Sequence, residues 1–218
     1  AVAGTDHIVN VTNMTIRFHQ KNGTLDYDKS LKDFFSAANP LTFTFDPKVI
    51  YDHFEDRFVV VTLEKTKIAD GYAADTSRIL VAVSDDGNPN GTWRVGAINA
   101  FTLINGTSYW ADYPGLAVDE EAVYITNNMF TFSSSGFGGV RLWVIGKGAG
   151  SGGFYDGGSL SSVSIHDPYA ANGIAATTQP AHIFSPVPAG SVGTFLTTYS
   201  GLSDGLDEWL QVVRIDNP

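Results

Sequence analysis

Three side chains in this sequence have the chemistry for acid–base catalysis. Asp112 and Tyr113 lie in the stretch Tyr109–Phe130, and His182 follows much later in the chain. A carboxylate, a phenol and an imidazole that converge in one pocket could donate and accept protons. Trp110 lies close to the first two, and an aromatic ring near a pocket suits stacking on a sugar. Asp112, Tyr113 and His182 are therefore the catalytic candidates.

Two further groups of oxygen-bearing side chains could bind Ca²⁺. The first group is Asp85, Asp86, Asn88 and Asn90, and the second is Asp204, Asp207 and Glu208. Calcium prefers such hard oxygen ligands. Neither group has the spacing of an EF-hand loop. Asp and Asn are also the usual residues of tight turns, so an acidic hairpin without a metal ion is the alternative.

The stretch Tyr109–Phe130 itself predicts two antiparallel strands. A short apolar run is followed by an acidic turn at Asp119-Glu120-Glu121, and the second run, Ala122–Asn127, alternates in polarity. Strands separated by a short polar turn indicate a hairpin. Pro114 fits the start of the first strand, where no backbone N–H is needed for the sheet.

An earlier stretch repeats this order and suggests the fold. Thr44–Asp52 and Arg57–Glu64 predict a similar hairpin, and two further strands follow it. Asp46, Asp112 and Pro180 recur along the chain at nearly equal intervals. Four strands repeated at a nearly fixed period indicate an all-β protein, a β-propeller of four-stranded antiparallel blades. A β-sandwich would also alternate, but it gives no reason for an Asp to recur at equal intervals.

The repeat units predict three to four blades in one domain. The units are residues 1–43, 44–109, 110–178 and 179–218. The first and the last supply about half a unit each, whereas propellers usually close with four to eight blades. The chain is then either a fragment that associates with the remainder of a longer propeller, or its first and last strands share a blade. One helical turn is expected in Ser30–Ala38, with Ser30 as the cap.

Composition narrows the classes of partner. Acidic residues outnumber basic ones 23 to 13, which disfavours nucleic acids and anionic membranes. The chain has no cysteine and no apolar run of about 20 residues, so disulfides, thiolate metal sites and a membrane span are excluded. An acidic surface fits a secreted or cell-surface protein, or a Ca²⁺-binding one; solubility alone is the alternative.

The segment Ser84-Asp-Asp-Gly-Asn-Pro-Asn-Gly-Thr-Trp93 resembles the Asp-box of sialidase-like propellers. It departs from that motif in its stretched middle, Asn88-Pro89-Asn90, and has no second clear copy. The resemblance implies a structural hairpin between the third and fourth strands of a blade. More broadly, Phe45–Glu64, Ser77–Trp93 and Trp110–Phe130 resemble uncharacterised secreted microbial propeller proteins, which implies no settled activity. The Arg-Ile-Pro motif and the arginine cluster of a sialidase are missing.

In a propeller the innermost strands start at the central channel, where ligands usually bind. The expected binding residues are Asp6, His7, Asp46, Trp110, Asn127 and Asn128. The alternative for each Asp is a cap on the backbone of a recurring turn. Three functions stay open: a module that binds a glycan or an extracellular protein without catalysis, a glycoside hydrolase or polysaccharide lyase, and a structural repeat of a larger surface protein.

Overall fold

The computed structural model describes residues 1–133, 136–160, 163–170, 175–185, 193–202 and 208–216. The proposed calcium ligands Asp204 and Asp207 lie outside these ranges, and the side chain of Glu208 is not described. The described residues form sixteen strands in four antiparallel sheets. No helix among them is long and apolar enough to cross a membrane.

The first two sheets each consist of four strands in chain order. Sheet 1 contains β1 (Val2–Ala3), β2 (His7–Val11), β3 (Thr15–Gln20) and β4 (Leu25–Ser30). Sheet 2 contains β5 (Phe45–Asp52), β6 (Arg57–Thr66), β7 (Thr76–Ser84) and β8 (Trp93–Asn99).

The third and fourth sheets follow the same up-and-down order. Sheet 3 contains β9 (Thr102–Ile104), β10 (Thr107–Val118), β11 (Ala122–Thr131), β12 (Phe137–Gly146) and β13 (Val163–His166). Sheet 4 contains β14 (Gln179–Pro180), β15 (Gly193–Leu202) and β16 (Glu208–Asp216). The fold class is confirmed: the protein is all-β, with sheets arranged as the blades of a β-propeller. The unit boundaries stay a prediction.

Sheet 1 is more complete than the sequence suggested. Residues 1–43 were expected to supply half a unit, yet they form four paired strands. The missed strand β4 is almost entirely exposed and therefore lacks an apolar alternation. The helical turn predicted after it is confirmed as α1 (Leu31–Phe34), and the Ser30 hydroxyl accepts a hydrogen bond from the backbone N–H of Asp33 at 3.0 Å.

Sheet 2 is buried on both faces. Successive side chains of a strand point to opposite faces, so neighbouring residues of β6 pack against different sheets. Val59 and Val61 of β6 pack towards sheet 3, in a cluster with Val123 and Trp143. Val60, between them in sequence, packs towards sheet 1. The nearly continuous apolar run of β6 is thus the signature of a blade held between two neighbours.

The loop Ser84–Trp93 joins β7 to β8, the third and fourth strands of sheet 2. The Ser84 hydroxyl accepts a hydrogen bond from the backbone N–H of Phe58 at 2.8 Å. The indole of Trp93 donates to the Pro89 carbonyl at 2.8 Å, and its ring stacks on Phe18 of sheet 1 at 5.7 Å. The loop therefore fastens the outer edge of sheet 2 to sheet 1.

A buried ion pair joins sheet 2 to sheet 3. The Lys147 ammonium lies 2.6 Å from the Asp52 carboxylate, and both side chains are almost inaccessible to solvent. The Tyr155 hydroxyl donates to the same carboxylate at 2.7 Å. The backbone N–H of Phe54 donates to its other oxygen at 3.1 Å. The charge of Asp52 is thus fully compensated inside the protein.

Candidate functional site

Strands β5 of sheet 2 and β10 of sheet 3 carry the same backbone distortion, at the start of β5 and in the middle of β10. In β5 the pairing shifts register between Phe45 and Lys48, and Asp46 has a φ of 48°. In β10 the shift falls between Asp112 and Gly115, and Tyr113 has a φ of 49°. These are β-bulges, which often redirect a side chain near functional sites.

The positions of the bulges show which residues of β5 and β10 are equivalent, and they differ from the equivalence that the sequence spacing predicts. Asp46 is equivalent to Tyr113, and Phe45 is equivalent to Asp112. The sequence spacing instead matches the carboxylates of Asp46 and Asp112 to each other, with one residue inserted after the second. The structure needs no insertion, because Pro47 and Pro114 also coincide.

A polar side chain on the neighbouring strand locks each bulge. The Thr62 hydroxyl donates to the Phe45 carbonyl at 2.8 Å, and the Asn127 amide donates to the Asp112 carbonyl at 3.1 Å. In sheet 4 the Thr198 hydroxyl donates to the carbonyl of Ala176 at 2.6 Å.

The third copy of the distortion lies at Thr177, which has a φ of 54°. It follows Ala176 as Asp46 follows Phe45. The repeat therefore recurs at Thr177, slightly before Pro180, the position that the sequence spacing suggests.

The end of β2 and the turn after it meet the bulges of β5 and β10, and together they enclose an open groove of about 270 Å³. We call it the strand-start groove. It is lined by Val11, Thr12, Asn13, Asp46, Pro47, Lys48, Tyr113 and Pro114. The Asn13 side-chain oxygen accepts a hydrogen bond from the Asp46 N–H at 3.0 Å, and the Lys48 ammonium lies 5.6 Å from the centre of the Tyr113 ring. The Tyr113 side chain is 47% exposed.

Asp112 does not line the groove, but its carboxyl group forms a pair with that of Asp46. The two carboxyls lie within hydrogen-bonding reach of each other. Burial raises the pKa of Asp112, and the neighbouring Asp46 charge raises it further, whereas the Tyr113 N–H and the Lys65 ammonium oppose the rise. Like charges this close disfavour the ionised form, which is why Asp46 adds to the rise in the pKa of Asp112. A carboxyl with a raised pKa, paired with another that lines an open groove, marks a candidate functional site.

Trp110 lies beside this pair but has a structural role as well. Its ring is half-buried, packs edge-on against Phe45 at 6.1 Å and contacts Phe130 at 5.8 Å. The Lys65 ammonium lies 3.0 Å from the ring centre. This cation occupies one face of the indole, so Trp110 positions Lys65 against Asp112 rather than offering that face to a ligand.

The predicted binding residues Asn127 and Asn128 lie behind the groove. Both are buried in β11. Asn127 holds the bulge at Asp112, and Asn128 accepts a hydrogen bond from the backbone N–H of Thr177 at 2.8 Å. They therefore fix the backbone at the strand starts of sheets 3 and 4. The side-chain oxygen of Asn127 has no protein partner among the described residues.

His182 does not join Asp112 and Tyr113. Its ring lies 5.8 Å from that of His53 and 4.4 Å from that of Phe184. His53 follows β5, whose far end is about 20 Å from Asp46 at the usual rise of a strand. The predicted grouping of His182 with the two other catalytic candidates is therefore wrong.

His182 should make stability dependent on pH. Burial lowers its pKa, and the adjacent His53 and Lys147 lower it further, against a smaller opposite effect of Asp52. As the pH falls below about 6.5, the unfolded imidazole binds a proton that the folded one resists, so stability is lost. The loss is complete below the lowered pKa. Melting temperatures measured from about pH 8 to pH 5 should fall less steeply for His182→Leu than for the wild type, while the exposed-site control His166→Leu should keep the wild-type slope.

Asp6 and His7 lie at another place in the fold. His7 begins β2, and its Nε2 atom lies 3.4 Å from the Asp26 carboxylate. Both residues border a cavity of about 300 Å³ that Asp56 and Asp86 also line. They do not line the strand-start groove. Their predicted position beside Asp46 and Asp112 is therefore wrong.

The four predicted calcium ligands are engaged by their own loop. Asp85 accepts a hydrogen bond from the Thr92 N–H at 3.0 Å, and Asp86 accepts one from the Asn88 N–H at 2.7 Å. The Asn88 side chain accepts from the Asn90 N–H at 3.1 Å. Within the described ranges, no three His, Asp or Glu side chains form a group that could hold a metal ion. These contacts match the alternative of turn-stabilising side chains.

Three residues beside the carboxyl pair were missed from the sequence. Asn13 lies in the turn between β2 and β3, Lys48 follows the bulge in β5, and Lys65 lies near the end of β6. Lys48 carries a usable signal, because it follows the Asp46-Pro47 pair that marks the strand start. Asn13 and Lys65 reach the site only through packing between sheets, which no local pattern records.

Gly115 is required where sheets 3 and 4 meet behind the groove. A Cβ atom at this position would meet Thr126 Oγ1, Pro180 Cδ and the Thr178 carbonyl. Gly115→Ala should therefore lower the free energy of unfolding by about 1–3 kcal/mol, as overpacking usually does. Urea denaturation gives the value, and Thr107→Ala at an exposed position of β10 is the matched control. An unchanged midpoint for Gly115→Ala would contradict the close packing.

Comparisons with known proteins leave the activity open. No protein-family model matches the sequence, and no curated protein matches it. One similar solved structure is the α-L-arabinanase of Cellvibrio cellulosa in complex with arabinohexaose. The two are 13% identical, the match covers 97% of this chain and 70% of the arabinanase chain, and the TM-score is 0.34. This likeness carries no argument about function.

Proposed function

We propose that this protein is a secreted or cell-surface propeller that binds a neutral glycan in the strand-start groove, without catalysis. One observation carries the proposal. Bulges in sheets 2 and 3, together with Asn13 from the turn after β2, bring the Asp46 carboxyl, a cation, an amide and an exposed aromatic ring into one groove, and Asp112 lies against Asp46. The acidic composition of the chain supports an extracellular setting.

The chemistry of the groove suits sugar hydroxyls. Asp46 can accept hydrogen bonds from two neighbouring hydroxyls, and Lys48 can donate to a third. The exposed ring of Tyr113 offers an apolar face to the C–H groups of a pyranose or furanose. A negatively charged sugar would be repelled by the Asp46 carboxylate, which favours a neutral ligand.

A panel of immobilised polysaccharides tests the proposal. Neutral glycans such as arabinan, xylan and β-glucan should retain the protein, and polygalacturonate should not. Tyr113→Asn keeps a residue type that tolerates positive φ and should weaken binding about tenfold, equivalent to about 1.4 kcal/mol. Phe184→Ser removes a 74% exposed aromatic ring near His182 and should leave binding unchanged. No retention on any polysaccharide would refute the proposal.

A second candidate is a glycoside hydrolase, and the raised pKa of Asp112 favours it. A carboxyl group whose pKa is raised keeps its proton to higher pH than a free one and can then act as a general acid. Asp46 would be the partner carboxylate. Retaining enzymes need about 5–5.5 Å between the two carboxyls and inverting enzymes about 6.5–9.5 Å, so a hydrogen-bonded pair would have to separate on substrate binding before either mechanism could operate. Release of reducing sugar from the retained polysaccharides separates this candidate from binding alone, and a purely structural repeat would show neither.

A further inference from the structure

Sheet 4 presents an apolar face that no described part of the chain covers. Phe195 of β15 and Leu210 and Val212 of β16 are 45%, 67% and 53% exposed. The pairing of Phe195 with Arg214 and of Thr197 with Val212 places these side chains on one side of the sheet. Exposed apolar groups clustered on one side of a sheet indicate an interaction surface. We call this set the outer face of sheet 4.

The opposite face of sheet 4 shows what covers such a surface in this fold. Leu196 and Ile215 pack against Tyr124 and Leu142 of sheet 3. Sheets 2 and 3 likewise bury the apolar residues that face each other. At each of these interfaces the apolar face of one sheet lies on the apolar face of another. If the outer face of sheet 4 is covered in the same way as these interfaces, the surface that packs on it is another apolar sheet face.

Sheet 1 cannot supply that occupant, because its own outer face is polar. Asn10 pairs with Arg17, and Arg17 pairs with Asp28, so the three side chains share one side of the sheet. All three are exposed, and Arg17 forms an ion pair with Asp28 at 3.1 Å. Such a polar, ion-paired surface is suited to contact with water and not to packing against an apolar sheet face. The stack of sheets therefore has one polar end and one apolar end.

We propose that two copies of this chain associate through the outer face of sheet 4. Among the described residues, the uncovered apolar sheet face available to a second copy is this same face. A two-fold axis would bring the two faces together isologously. Arg214 and Asp216 lie at one end of β16, 55% and 52% exposed, and supply one cation and one anion. These two side chains form an ion pair with each other, so the face carries no net charge on an otherwise acidic protein and does not repel its symmetry mate.

Sedimentation equilibrium on the full chain tests the proposal. The wild type should show a mass of about twice 23.4 kDa at micromolar concentration. Leu210→Lys/Val212→Lys should raise the dissociation constant at least tenfold, because two buried ammonium groups would lie near their symmetry mates. Leu103→Lys, at a 65% exposed position of β9, should leave the mass unchanged. A monomeric wild type, or a dimer that the double variant leaves intact, overturns the proposal.

A cross-linking experiment keeps the proposal testable if the double variant does not fold. The chain contains no cysteine, so Val212→Cys introduces a single thiol on the outer face of sheet 4. A short bis-maleimide reagent should convert this variant to a covalent dimer. Leu103→Cys should stay largely monomeric under the same conditions. Equal cross-linking of the two variants would place the contact elsewhere and refute the proposal.

Discussion

Lys147→Met is expected to lower the free energy of unfolding by about 3–5 kcal/mol, the usual effect of removing one partner of a buried ion pair. The substitution leaves the Asp52 carboxylate inside the protein with only the Tyr155 hydroxyl and one backbone N–H as partners. These two neutral donors compensate a buried charge poorly. Urea denaturation followed by tryptophan fluorescence measures the change.

A double variant distinguishes the charge from the packing. Asp52→Leu/Lys147→Met removes both charges, so it should be more stable than Lys147→Met alone. Lys32→Met removes an exposed lysine and should change stability by no more than about 0.5 kcal/mol. If the double variant were as unstable as the single one, the loss would come from packing around Lys147 and not from the unpaired Asp52.

Asp46→Asn should weaken binding of the retained glycan by about 10-fold to 100-fold. Asp46 lines the groove and Asp112 does not, so Asp46 is the carboxylate that reaches the sugar hydroxyls. A hydrogen bond to a charged group contributes about 1.5–3 kcal/mol, which corresponds to a loss of this size. Isothermal titration calorimetry with a soluble oligosaccharide of the retained polysaccharide gives the affinity.

Asp112→Asn is the matched variant, because an amide resembles the protonated carboxyl. It should keep the glycan affinity that the wild type shows below the raised pKa of Asp112. In the wild type, rising pH removes the proton as it passes the raised pKa of Asp112, and the pair then carries two charges. Affinity should change at that pH, and the change should be absent from Asp112→Asn. Loss of turnover by a factor of about 10² or more in this variant would instead support the hydrolase.

The strands of sheets 2 and 3 could be predicted because their burial leaves a mark on the sequence. The apolar runs of β6 and β11, and the turn residues around Asp85, reflect local preferences that the fold keeps. The strand β4 escaped detection because its side chains face water. Local pattern thus recovers elements that are buried or bounded by turns.

The geometry of the candidate site could not be predicted from the sequence. Nothing in the residue type marks Tyr113 as a bulge position, since a tyrosine rarely adopts positive φ. The regular spacing of Asp46 and Asp112 suggested equivalent positions, whereas the two carboxyls meet from different positions of the repeat. His182 was placed with them by order along the chain alone. The bulge at Tyr113, the pairing of the two carboxyls and the position of His182 all depend on contacts between strands or sheets that are distant in sequence.

The side chains that stabilise each bulge are different from the side chain that the bulge exposes. Thr62, Asn127 and Thr198 hold the distorted backbone from the neighbouring strand, so the residue at the crest of each bulge does not have to maintain it. That residue is an aspartate in one sheet, a tyrosine in the next and a threonine in the last. A fold built in this way can acquire a new specificity by exchanging one side chain per blade, with its hydrogen-bonded framework left intact.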